Sequence, residues 1–339
     1  QASKLDNPHA QYQLARMIFN DPSSTPEQTA QALERLTKAA EAGQDCAQYA
    51  LGKIYRDGQG VEKDIQKAVA LFTLAATKEN SFAAFALGKL YLAGDAALPR
   101  DPAAALKWLT YAAELGNQFA QYRLGKLLLK GDDGIPKDVI TAIRWLTAAA
   151  KQENGYAEYA LALVYLTGED APKDSVKALS LLKRSAGRGN QFAQYRLGKL
   201  LLQGEDAPKD VKAAIRWLTA AAEQGNQYAQ YALGKLYLLG KEVPKDRSSA
   251  IKWFQLAADR GNEYAQYFLE HMDDRLGQPP VAAVISLFHH LANIFQEQNQ
   301  PPPSGGVRVA VDRKLLRKIK AKKIAQGHKA DDHEPEMQL

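Results

Sequence analysis

A single cysteine, Cys46, stands in 339 residues, which excludes any intrachain disulfide and fits a reducing, cytoplasmic setting. Long apolar runs are missing as well. No stretch approaches the ~20 apolar residues of a membrane span, and no leader-like segment opens the chain, so no membrane contact is expected. The six histidines are scattered, and no H-E-x-x-H, phosphate loop or G-x-S-x-G occurs. His289 and His290 are adjacent, so on a helix they point in different directions. Catalysis, a metal, a cofactor and a small-molecule substrate are therefore not expected, and the chain reads as a non-enzyme. Excess charge is small too: 44 Lys and Arg face 38 Asp and Glu, a net of +6. Residues 301–339 hold nine of the basic and five of the acidic residues, so most of the excess lies in that tail.

What is abundant is repetition. His9-Ala10-Gln11-Tyr12 returns as Cys46-Ala47-Gln48-Tyr49, Phe82-Ala83-Ala84-Phe85 and Phe119-Ala120-Gln121-Tyr122. It returns again as Tyr156-Ala157-Glu158-Tyr159, Phe192-Ala193-Gln194-Tyr195, Tyr228-Ala229-Gln230-Tyr231 and Tyr264-Ala265-Gln266-Tyr267. The alanines are 36 or 37 residues apart throughout. Such a period marks a solenoid of stacked units, each too small to bury its own apolar face.

Within a unit, Ala229, Leu233, Leu236 and Tyr237 follow helical spacing. Glycines such as Gly58, Gly168 and Gly240 close this first helix, because glycine tolerates the left-handed conformation of a helix end. Asp64, Asp101, Asp138, Asp174, Asp210 and Asp246 are placed to cap a second helix, and Thr25 with Gln28 reads as a capping box. The four tryptophans, Trp108, Trp145, Trp217 and Trp253, take one equivalent place in that second helix, filled elsewhere by Phe72 and Leu181. Repeated bulk there predicts core packing. Paired Ala112-Ala113, Ala148-Ala149, Ala221-Ala222 and Ala257-Ala258 predict close helix approach. The fold class is all-α: a right-handed α-solenoid of helix hairpins over residues 1–271.

The pattern A-x-Y-x-L-G-x-x-Y-x-x-G, a capping Asp after Pro-Lys, then K-A-x-x-W-x-x-x-A-A-x-x-G, resembles the Sel-one-like repeat, a relative of the tetratricopeptide repeat. Residues 228–261 match it nearly throughout, from Ala229 and Tyr231 through Gly234, Trp253 and Gly261. The resemblance implies an adaptor or scaffold with a protein or peptide held on the superhelical surface, and a monomer is expected. Ala162 replaces the glycine in one first helix, and Glu270 and His271 mark the array's end.

Past the repeats, residues 280–298 read as an amphipathic capping helix within a 272–300 segment. Residues 301–339 read as a Pro/Gly linker and a basic, largely disordered tail. Arg313, Lys314, Arg317, Lys318, Lys320, Lys322 and Lys323 are its candidate nucleic-acid contacts. The stretches at His271–Asp274, Leu287–His290 and Lys322–His328 resemble the C-terminal region of mobilisation relaxases from Gram-positive gut bacteria. That resemblance implies a DNA-nicking domain ahead of Gln1, consistent with a chain that opens without Met; no nicking residues are assigned here.

Numbering each anchoring alanine as position one, positions zero, four, seven and eleven share one helical stripe. Position seven is Lys53, Lys89, Lys126, Lys199 and Lys235, interrupted by Leu163; position four adds Arg123 and Arg196. Position zero supplies Phe82, Phe119, Tyr156, Phe192, Tyr228 and Tyr264, where the resembled family is commonly polar. Two readings stand: the rings seal joints between units while the lysines are solvated, or rings and cations line an inner groove for an acidic or aromatic-containing peptide, or for single-stranded nucleic acid.

Overall fold

The computed structural model describes residues 8–271 apart from residues 22, 132 and 133. Fifteen helices occur among them, and no strand. They form seven hairpins, each a first (A) and a second (B) helix. The hairpins are α1 (Pro8–Asn20) with α2 (Pro26–Glu41), α3 (Asp45–Asp57) with α4 (Ile65–Ala76), and α5 (Ser81–Ala93) with α6 (Pro102–Glu114). Next come α7 (Gln118–Lys130) with α8 (Val139–Lys151), α9 (Gly155–Thr167) with α10 (Ser175–Gly187), α11 (Gln191–Gln203) with α12 (Val211–Glu223), and α13 (Gln227–Leu239) with α14 (Arg247–Ala258). A lone A helix, α15 (Glu263–His271), follows. The array is the expected all-α solenoid. The expected capping helix, the linker and the seven basic tail residues Arg313 to Lys323 lie outside the described residues.

Local chemistry sets the helix limits. Asp64, Asp101, Asp138, Asp174, Asp210 and Asp246 each accept a hydrogen bond from the backbone N–H three residues on, and Thr25 and Gln28 form a reciprocal capping box. Gly240 ends α13 in the left-handed region at φ 64°. The A helices have caps of their own. Asn80, Asn117, Asn154, Asn190 and Asn226 accept from the backbone amide of the anchoring alanine, and all but Asn80 are buried. Their signal was present, an asparagine three residues before each of those alanines.

Packing corrects the reading of the B helices. The fully buried place is one residue after the tryptophans: Phe72, Leu109, Leu146, Leu182, Leu218 and Phe254 are all 0 % exposed. Phe72 thus aligns with Leu109, not Trp108, and Leu71 takes the tryptophan's place; the four tryptophans are half-buried, flanking the core. Likewise the close-packed pair in α8 is Ala149-Ala150. The A-helix glycine at position six is required by this layer. A Cβ on Gly125 would stand 2.6 Å from Leu146 Cγ, well inside van der Waals contact.

Each A helix is wedged between the B helix of its own unit and that of the preceding one, so it buries more than one stripe. Position two is buried although it is polar: Gln48, Gln121, Gln194 and Gln230 donate Nε2 hydrogen bonds of 2.9–3.1 Å to Ala40, Ala113, Ala186 and Ala222 carbonyls on the preceding B helix. A buried amide must be satisfied, and these bonds join neighbouring units. The fifth unit departs. Glu158 replaces the glutamine at 0 % exposure, with Arg184 Nη2 at 2.6 Å and Arg188 Nε at 3.5 Å from its carboxylate oxygens. A second link runs along the A–B loops. Lys63, Lys137, Lys173 and Lys209, each just before a capping Asp, pair at 2.6–2.8 Å with Asp95, Asp170, Asp206 and Glu242 of the next unit. These pairs are solvent-accessible, so each contributes at most about 1 kcal/mol. They nonetheless give three lysines of the Pro-Lys-Asp signature, Lys137, Lys173 and Lys209, a partner.

Candidate functional site

The expected stripe lies on the A helices, and those of adjacent units touch at α1–α3 and α7–α9.

Along it runs a double row of rings. The position-three ring of one unit packs on the position-zero ring of the next: Tyr49–Phe82, Phe85–Phe119, Tyr122–Tyr156, Tyr159–Phe192, Tyr195–Tyr228 and Tyr231–Tyr264, with centroids 5.9–6.4 Å apart. Such tilted pairs are favourable beyond the area they bury. The position-zero rings thus do close the joints between units. They also keep exposed surface: Phe82 and Tyr228 are 43 % and 45 % exposed, while Phe119, Tyr156, Phe192 and Tyr264 are half-buried. Position three was not part of the expected stripe, yet it supplies half of the row.

The cations stand beside these rings. Lys53, Lys89 and Lys126 place Nζ 5.9, 5.9 and 5.8 Å from the centroids of Tyr49, Phe85 and Tyr122, one helical turn back. Arg123 and Arg196 are half-buried; Lys126 and Lys199 are exposed, and Lys235 is half-buried. Desolvation against the wall holds the Lys53 and Lys235 ammoniums below the usual lysine range, and that of Lys199 too although its side chain keeps exposed surface; Arg56, Arg16 and Lys89 push Lys53 the same way against Asp57, as do Arg196 on Lys199 and Lys199 and Lys241 on Lys235. Lys199 has no ion-pair partner among the described residues. Cations and rings thus share one face of the A layer. No cluster of potential metal ligands occurs among the described residues.

Burial acts on the tyrosines in the opposite sense. It pushes the phenols of Tyr49, Tyr159, Tyr195 and Tyr231 above their ordinary value. A folded-state pKa above the unfolded ~10 means that this stabilisation is whole below about pH 10 and is lost as pH rises beyond it. Tyrosinate absorbance should therefore climb in two stages, the second coinciding with loss of helical circular dichroism. A single ionisation stage for all the tyrosines, centred at pH ~10 with the helices intact, would contradict the buried ring row.

Seven successive segments, residues 8–44, 47–80, 81–117, 118–154, 155–190, 191–226 and 227–262, match the model of the Sel1 repeat. The chain belongs to the Sel1 repeat family. Sel1 repeats are non-catalytic and act in general as protein-interaction scaffolds. No curated protein matches the chain. Among solved structures, a protective antigen of uropathogenic Escherichia coli with the same repeat fold is 34 % identical at a TM-score of 0.68; the match covers 81 % of this chain and 59 % of that one, so the Sel1 array spans less than two thirds of that protein. A Sel1 repeat protein from Oxalobacter formigenes is 26 % identical at a TM-score of 0.65, covering 74 % of this chain and 96 % of that one. The matched Sel1 repeats end at residue 262, so the stretch that resembles mobilisation relaxases, from His271 onward, is not among them. No helix among the described residues is long and apolar enough to cross a membrane.

Proposed function

We propose that this Sel1 array is a non-catalytic scaffold whose inner groove holds an extended, acidic segment of a protein partner. The observation that carries the reading is the cation column. Lys199 is partly desolvated beside Arg196 and close to Lys235, an arrangement relieved by an anionic ligand. The half-exposed rings add apolar and cation–π surface for side chains between the acidic ones. A protein segment is favoured over nucleic acid because the joints between units already engage one face of each position-zero ring, which leaves edges more than open platforms for stacked bases.

The test is charge reversal. With a fluorescein-labelled acidic peptide as probe, replacing Lys126, Lys199 and Lys235 by Glu should weaken binding at moderate salt by at least about tenfold while helical signal and melting temperature stay unchanged. Equal affinity in the triple variant would remove the groove from the reading. Tighter binding of single-stranded DNA than of peptide, with a steep salt dependence, would transfer the groove to nucleic acid.

A further inference from the structure

The cation column has one gap, and its position gives the ligand a pattern. In α9, position seven is Leu163 and position four is Ala160, whereas α3, α5, α7, α11 and α13 all carry Lys at position seven. Leu163 and Ala160 are both half-buried, with the half-buried Tyr156 and Tyr159 on the same helix and Phe192 of α11 packed on Tyr159 at 6.3 Å. The gap is therefore an apolar window in this face of the A layer. Cations frame it: Arg123 and Lys126 on α7, Arg196 and Lys199 on α11. Packing does not call for the exchange, since the position-seven side chain is exposed or half-buried in each of the five units that carry Lys there. The same unit has moved its charge away from the groove, to the buried Glu158 and the arginines that meet it.

We infer that the groove selects an extended protein segment of acidic–apolar–acidic character, with its apolar centre on α9. The inference rests on the groove reading above and specifies it. Neighbouring packed helices stand about 8–10 Å apart, so the two cation pairs, on α7 and α11, are separated by roughly 20 Å. An extended chain rises ~3.3 Å per residue, which sets the acidic positions about six residues apart.

Two labelled peptides of equal length and with identical acidic ends test this, one with leucines at its three central residues and the other with serines. The array should bind the leucine-centred peptide about tenfold more tightly, the gain from partly burying apolar side chains. Leu163→Lys, which installs the residue found at this place in five other units, should keep the helical signal and abolish that preference. It should also strengthen binding of a third peptide that is acidic throughout. If the array binds both test peptides equally, or Leu163→Lys leaves the preference untouched, the window has no role and this inference falls while the groove reading stands. If none of the peptides binds, the groove reading falls first. Single-stranded DNA displacing both peptides at moderate salt would overturn both.

Discussion

Leu146→Ala is expected to lower the unfolding free energy by about 2–5 kcal/mol, the range for emptying a fully buried leucine site. Leu146 is 0 % exposed and sits against Gly125 of the facing A helix, whose backbone cannot move closer to refill the space without losing the joints on its other side. Trp145→Ala, one residue away, should cost less. Its ring is half-buried and partly covered by the Arg144 guanidinium at 5.1 Å, so truncation mainly returns surface to water. Urea unfolding of the two variants followed by circular dichroism decides the order, and an equal or larger loss for Trp145→Ala would put the tryptophan at the centre of the joint. Each unit touches only its neighbours, so the Leu146 lesion should also divide the array. Hydrogen exchange should rise first around α7 and α8 and later towards the ends.

Removing both Arg184 and Arg188 is the second large effect. Glu158 is fully buried, and the two guanidiniums are the cations that meet its carboxylate. Replacing both arginines by alanine strands a charge in the joint between the fourth and fifth units, at about 3–5 kcal/mol. The rest of the array supplies the rescue. Gln occupies this place in four other internal units and donates to a B-helix carbonyl, for which Ala150 O is the counterpart here, already contacted by Arg184 Nη2 at 3.4 Å. Adding Glu158→Gln to the double variant should therefore recover most of the loss. Equal unfolding midpoints with and without Glu158→Gln would show that the buried charge is not the cause.

The fold was legible because repetition averages out local ambiguity. A glycine or aspartate in one place is a weak signal, but the same residue at a constant interval gives the helix limits, and the capping Asp residues and Thr25 fulfil that expectation. Depth was harder to read. Trp and Leu stand side by side in the B helices, and size alone favours Trp217, whereas Leu218 takes the 0 % exposed place, pressed against Gly198 of α11. The polar residues give no local signal of their depth. Gln121 looks like a surface residue until its bond to Ala113, a contact made across the joint, is known. Lys137 and its Asp170 lie a whole unit apart, so no short window contains both. On the A helices, helical spacing alone places positions zero, four and seven on one side. That position three completes the ring row was not readable this way, because it depends on how one unit is rotated against the next.

Nearest-neighbour stacking has a consequence for heredity. Residues 116–129 and 189–202 are the same string, Gly-Asn-Gln-Phe-Ala-Gln-Tyr-Arg-Leu-Gly-Lys-Leu-Leu-Leu, so a coding sequence that uses the same codons in both offers two matching sites for unequal exchange. Exchange there removes or duplicates residues 118–190 as a block, and the new junction repeats one the protein already has, α6 meeting the helix sequence of α7. The shortened form would lose Leu163 and bring Lys89 and Lys199 into neighbouring units, closing the gap in the column. The lengthened form would carry two apolar windows. A single recombination event can thus change both the length of the array and the spacing of its cations, with no new residue required.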